Sequence, residues 1–162
     1  MAIKNFAHRS LAVGGTLAAA AGALALAVGA TGASGAPAQA ARTITLNDTG
    51  HLHRTSSKGF NLYESGSATG SLGGSITLHL DVVSTNRVTA ELKVSPRGGS
   101  MSGNASGNYR NNGATATFSG TLTINHGTGS YSHAHGSGLK FSGTIQRAND
   151  SVTVQVSGHL SV

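Results

Sequence analysis

The sequence predicts an all-β protein, with about eight antiparallel strands closed into an up-and-down barrel and a two-sheet β-sandwich as the alternative, preceded by a helical signal peptide. Three observations carry this. In the last third of the chain apolar residues recur at every second position: Ala114, Ala116, Phe118, Leu122, Ile124, then Leu139, Phe141, Ile145, then Val152, Val154, Val156, Leu160 and Val162. A period of two is the signature of strands with one buried and one wet face. Beyond the first forty residues no stretch repeats apolar residues at spacings of three and four, so no helix is predicted there. Finally, the segments between apolar runs are short and turn-like, and short turns join antiparallel neighbours.

Taken in order, the predicted strands are Thr43–Leu46, His51–Thr55, Phe60–Tyr63, Ser67–Val83, Arg87–Val94, Ser100–Tyr109, Ala114–Ile124, Ser137–Gln146 and Val152–Leu160. Ser67–Val83 is long for one strand, and Gly73-Gly74 predicts a bend or bulge inside it. Ser84-Thr85-Asn86, Pro96-Arg97-Gly98-Gly99, Asn111-Asn112-Gly113 and Ala148-Asn149-Asp150 supply residues that accept left-handed backbone angles or bond to their own main chain. A short echo, FSGTLTI at Phe118–Ile124 and FSGTI at Phe141–Ile145, places a glycine on the apolar face of each copy. It predicts two neighbouring strands with similar bends.

Residues 1–40 read as a targeting segment. Lys4, His8 and Arg9 form a basic start, Leu11 to Ala30 carries no charge, and Ala38-Gln39-Ala40 offers the small residues a signal peptidase requires, so the mature chain is expected to begin at Ala41. The expectation is a secreted, extracellular protein with one domain over residues 41–162 and no stable membrane insertion after cleavage. The chain has no cysteine, so its stability must come from burial and strand pairing. It carries 11 Lys/Arg against 5 Asp/Glu, and the basic residues are scattered along the chain. No stripe suited to phosphates forms, which argues against a nucleic-acid partner.

The run TLTINHGTGSYSHAHGSGLKFSGTI, Thr121 to Ile145, resembles the C-terminal signature of the allene oxide cyclase-like barrels, which include the plant dirigent proteins and small secreted bacterial relatives. Gly127, Thr128, Gly129, Tyr131, Ala134 and Gly136 follow the family's order of a Gly-Thr-Gly-aromatic turn and an Ala-x-Gly crossing. The resemblance implies an eight-stranded barrel, often trimeric in plant members, with an apolar pocket open at one end that confines a reactive ligand. It implies a homo-oligomer as a candidate assembly. The catalytic acids of dirigents have no residue-by-residue counterpart here.

Among reactive side chains only histidine is unusual. His51/His53 and His133/His135 have the i, i+2 spacing that puts two imidazoles on one face of an extended segment, which would suit two metal ligands. A site wants a third ligand, and with no Cys and few acids none is in view, so no metal and no cofactor are expected. The nucleophile arrangements are missing too, and no catalytic residue is assigned. Tyr131 is expected to pack the turn against the barrel end with its hydroxyl in water. Glu64 is an acid near a strand end, ordinarily an exposed carboxylate and functionally an acid at a barrel mouth. The row Thr115, Thr117, Ser119, Thr121 and Thr123 reads as the soluble outer face of a strand.

The functional expectation is a secreted, non-enzymatic barrel that binds a small apolar ligand or acts at the cell envelope. Small inward side chains leave room for one ligand. Tyr131, His133, His135 and Glu64 are the candidate ligand-binding residues; Gly127, Thr128, Gly129 and Gly136 are the structural turn. A cyclase- or dirigent-like enzyme and a structural or adhesive surface protein are the competing classes. A charged group projecting into the pocket would favour the enzyme.

Overall fold

The structure is a computed structural model that describes residues 41–162. The predicted signal peptide, residues 1–40, lies outside the described residues. Eight strands follow one another: β1 Thr43–Lys58, β2 Asn61–Gly70, β3 Gly74–Ser84, β4 Arg87–Ser95, β5 Gly99–Asn112, β6 Thr115–Gly129, β7 Gly136–Gln146 and β8 Ser151–Ser161. Each pairs antiparallel with the next, and β8 returns to pair with β1 from Thr43↔Ser161 to His53↔Ser151. That last ladder closes the barrel and rules out the sandwich, which would leave edge strands.

Nine predicted strands become eight because the first two are one, and a second local feature moves a boundary without changing the count. Asn47-Asp48-Thr49-Gly50 falls in the gap between the predicted strands Thr43–Leu46 and His51–Thr55, yet β1 runs straight through it, paired on both sides, with Asp48↔Gly70 on β2 and Asp48↔Val156 on β8. The Asp48 carboxylate, half-buried on the same face as Leu46 and Gly50, accepts hydrogen bonds from the backbone N–H groups of Leu72 and Gly73, at 3.0 and 3.2 Å. It thereby holds the β2–β3 reversal. That reversal is the second correction: Gly73-Gly74 ends one strand and starts another, so Phe60–Tyr63 and the front of Ser67–Val83 together form β2. The β5 and β6 ladders also run further than the apolar pattern, to Asn112 and Gly129.

Inward residues of all eight strands make a single core, in which Leu52, Leu78, Leu80, Leu122, Leu139 and Phe141 are among the largest fully buried side chains. The Thr115–Thr123 row and its counterparts on other strands face out. Apolar inside and polar outside is the reverse of a membrane-spanning barrel, whose outer band faces lipid.

The FSG echo has a packing meaning. Its two copies lie side by side and antiparallel, so that Phe118 pairs with Gly143, Gly120 with Phe141, and Ser119 with Ser142. Each phenylalanine sits opposite the other copy's glycine, and the two rings pack with centroids 5.1 Å apart. A side chain at Gly143 would run into the Phe118 ring and, on the other side, into the Thr153 carbonyl oxygen, and only the first of these can yield to a smaller neighbour. We expect Gly143→Ala to cost about 1–3 kcal/mol by overpacking, and Phe118→Leu to recover part of that loss when the two are combined. Urea unfolding of both single variants and the double variant checks this; simply additive losses would show that the pair is not coupled.

Candidate functional site

The two ends of the barrel differ. At the first, the β6–β7 turn (residues 130–135) folds back over the strand ends. Ser130 N–H donates to the Gly98 carbonyl at 2.9 Å, Tyr131 N–H to Thr128 at 3.1 Å and Ala134 N–H to Tyr131 at 2.8 Å. His135 and Ser161 exchange backbone hydrogen bonds of 2.9 and 3.0 Å. Ala134 is buried, and Tyr131 is half-buried against the core, lying over Gly99 where a β-carbon would touch its ring. The Thr128 hydroxyl accepts from Ser100 N–H at 3.1 Å and bonds the Ser100 hydroxyl at 2.9 Å. Gly136 opens β7. The Gly-Thr-Gly segment, expected as the turn itself, is instead the paired end of β6, with Gly127, Thr128 and Gly129 opposite Met101, Ser100 and Gly99; the turn follows it, and Tyr131 packs that turn down.

Below this turn the lumen is nearly full. An apolar void of about 30 Å³ remains between Leu46, Ile76, Met101, Ile124, Val156 and Leu160. That is room for a water molecule or two and not for an organic ligand. Leu, Ile and Met side chains from six strands meet across the axis and fill this part of the lumen, so the room for one ligand that small inward side chains could leave does not lie here.

The second end is open. A depression of about 760 Å³ is lined by Leu62, Val82, Ala116 and Ile145 along its wall and by Phe60 and Val83 at its rim. Phe60 is 73% exposed and Val83 53%, the two most exposed large apolar residues described. Polar groups converge here from three elements. Arg54 is the last inward residue of β1 before a bulge that shifts the register between Arg54 and Ser56. Its guanidinium reaches Asp150 Oδ1 at 2.7 Å, and its backbone N–H donates to the Asp150 carbonyl at 3.1 Å. Asp150 holds a left-handed φ of 53°, stabilised by the adjacent turn in which Asn149 Oδ1 accepts from Ser151 N–H and hydroxyl. From the start of the same β7–β8 turn the Arg147 guanidinium donates to the Tyr109 hydroxyl on β5 at 3.1 Å.

Glu64 lies beneath Arg54. It is 2% exposed and is the one buried polar or charged side chain among the described residues. The ordinary expectation of an exposed carboxylate is corrected: Glu64 shares the inward face of β2 with Leu62 and Ala68, and pairs with Arg54 and with buried Leu78. Neither of its oxygens has a hydrogen-bond partner, and the nearest cation, Arg54 Nε, stands 3.9 Å away and is itself unpartnered. Burial pushes its pKa from 4.5 up to about 7, against the pull of Arg54 and with a smaller push from Asp150. The carboxyl can therefore hold or release a proton near neutral pH.

The four candidate ligand-binding residues are split between the ends. Tyr131, His133 and His135 lie on the closing turn, the two histidines exposed and His135 Nδ1 2.9 Å from the His133 carbonyl. Glu64 alone lies at the open end. The residues that join it there, Arg54, Tyr109, Arg147 and Asp150, carry one signal in sequence: Arg54 continues the inward parity of Leu46, Gly50 and Leu52, and Tyr109 that of Met101 and Ala105. No three His, Asp or Glu among the described residues come together as metal ligands. His51 and His53 point outward from β1 and are exposed.

On the outer wall Tyr63 and His79 stack with centroids 4.2 Å apart, and His79 is also near Asn61 Oδ1 at 3.2 Å and Glu91 at 3.7 Å. This cluster braces β2, β3 and β4 and lies away from the mouth. No family model, curated protein or solved structure matches the chain.

Proposed function

We propose that the protein is a secreted binding barrel that holds a small, largely apolar molecule in its open mouth. The observation that carries this reading is the contrast between the ends: a packed, turn-covered end with about 30 Å³ of void, and an open one of about 760 Å³ with an apolar wall and a few converging polar groups. Such a combination is what small-molecule sites use, apolar surface for affinity and sparse polar groups for orientation. The eight-stranded closed barrel is also the fold that the allene oxide cyclase-like resemblance implies, and we keep that relationship as part of the proposal.

A cyclase- or dirigent-like activity is the second reading, and one observation favours it. Arg54 and Arg147 project into the mouth, with the titrating carboxyl of Glu64 directly beneath the first. Binding is preferred because Arg54 and its pairing with Asp150 stand between Glu64 and the mouth. A general acid must come within hydrogen-bond reach of its substrate.

Native mass spectrometry of protein recovered from culture medium tests the proposal. The expected spectrum is a chain beginning at Ala41 that carries one small molecule per barrel, released on denaturation. A bare mass, or a chain with Met1 found only in washed membranes, would contradict it.

A further inference from the structure

We infer that the ligand of the mouth is a small organic anion, its carboxylate or equivalent held by Arg147 and Tyr109 and its apolar body laid against Leu62, Val82 and Ile145. This rests on the binding proposal above and specifies the ligand's head group.

The charges of the mouth do not balance. Asp150 is committed to Arg54 through a 2.7 Å ion pair. Glu64 lies under the same guanidinium, out of contact with solvent, and burial keeps it protonated up to about pH 7. Both acids are thus accounted for by Arg54. Arg147 has no such partner: no carboxylate of the described residues lies within 4.0 Å of its guanidinium. A cationic ligand would meet only Asp150, half-exposed but already paired with Arg54, whereas an anion would find an arginine with no carboxylate partner among the described residues.

Arg147 is also held in place. Its backbone N–H donates to the Ala114 carbonyl at 3.0 Å, fixing the start of the β7–β8 turn, and one guanidinium nitrogen is anchored on the Tyr109 hydroxyl. The Tyr109 ring is part of the core, so the hydroxyl is a fixed post at the wall of the mouth. Because the tyrosine oxygen accepts from Arg147, its own proton remains to be donated. The remaining guanidinium N–H groups and this hydroxyl form a set of donors at one spot, with no acceptor among the described residues to match them. A planar carboxylate is the acceptor that suits an arginine fork. A few ångströms away the wall turns apolar, so the anion must carry an apolar body.

Isothermal titration calorimetry at pH 6 with octanoate, octanol and octylammonium tests this, because the three share a body and differ in head group. The expected result is octanoate binding at least tenfold tighter than either of the others. In Arg147→Gln octanoate falls to the affinity of octanol, while Arg110→Gln, which removes the same charge from a residue that is exposed like Arg147 but lies outside the mouth, leaves octanoate binding as in the wild type. Equal binding of octanoate and octanol, or preference for octylammonium, overturns the anion assignment and leaves the binding proposal standing. Binding of none of the three overturns both. Equal losses in Arg147→Gln and Arg110→Gln would show a diffuse charge effect and would also overturn it.

Discussion

Replacing Glu64 by glutamine is expected to abolish the largest single pH-dependent penalty in this fold. A carboxyl whose pKa rises from 4.5 in the unfolded chain to about 7 in the barrel binds its proton more tightly when folded. Between those two values the folded protein holds more protons than the unfolded chain, so stability falls as pH rises through the window. Below about pH 4 both states are protonated and there is no penalty; above about pH 7 the loss is complete, on the order of 3 kcal/mol by linkage. Glutamine has the same shape and no charge. Its buried amide brings an offset of its own, but that offset does not change with pH. Urea unfolding of wild type and Glu64→Gln at pH 4, 6 and 8 should therefore show a difference that moves in favour of the variant by roughly 1–3 kcal/mol from the lowest pH to the highest. A difference that stays constant would mean that Glu64 titrates as it does in water.

The end of β6, where the closing turn folds back over it, gives the other large effect. Gly129 holds a φ of 59°, in the region where a β-carbon is opposed, and its β-carbon would also strike the Gly98 carbonyl across the ladder. Gly127 has no unusual φ, but the chain returns over it so closely that a β-carbon there would overlap the Tyr131 carbonyl oxygen. Because both obstacles are backbone, no side-chain movement can relieve them. Gly127→Val and Gly129→Val should each cost about 1–3 kcal/mol or more, a large part of a small domain's stability. His133→Ala, at an exposed position with no side-chain partner described, should shift the urea midpoint little. If His133→Ala unfolds the protein more readily than either valine variant, the turn is not what closes that end of the barrel.

What the sequence reveals and conceals follows from the range over which each interaction acts. Strand character is written in alternation, which a single strand displays by itself, and so β4 through β8 are legible to within a few residues. The FSG echo is legible as two similar strands, but the reciprocal fit of Phe118 to Gly143 and Gly120 to Phe141 depends on register, which belongs to the pair. Asn47-Asp48-Thr49-Gly50 misleads because Asp48 uses its side chain to hold a turn on the next hairpin, a contact 24 residues away in the chain. The mouth is hidden for the same reason. Arg54 meets Asp150 only because β8 closes on β1, and Tyr109 meets Arg147 only because β5 and β7 both flank β6 and end at the same rim. Glu64 was the one member in view, and its burial follows from parity: it is two residues beyond Leu62 and two before Gly66 on the inward face.

The claim that the open mouth is the binding site is tested most directly by following backbone amide resonances of isotopically labelled protein, residues 41–162, during titration with octanoate. The account predicts saturable shifts confined to residues 54–62, 82–85, 109–116 and 145–150, with the closing turn at 130–135 and the end of β6 beneath it unchanged. Shifts centred on Tyr131, His133 and His135, or none at saturating octanoate, would contradict it.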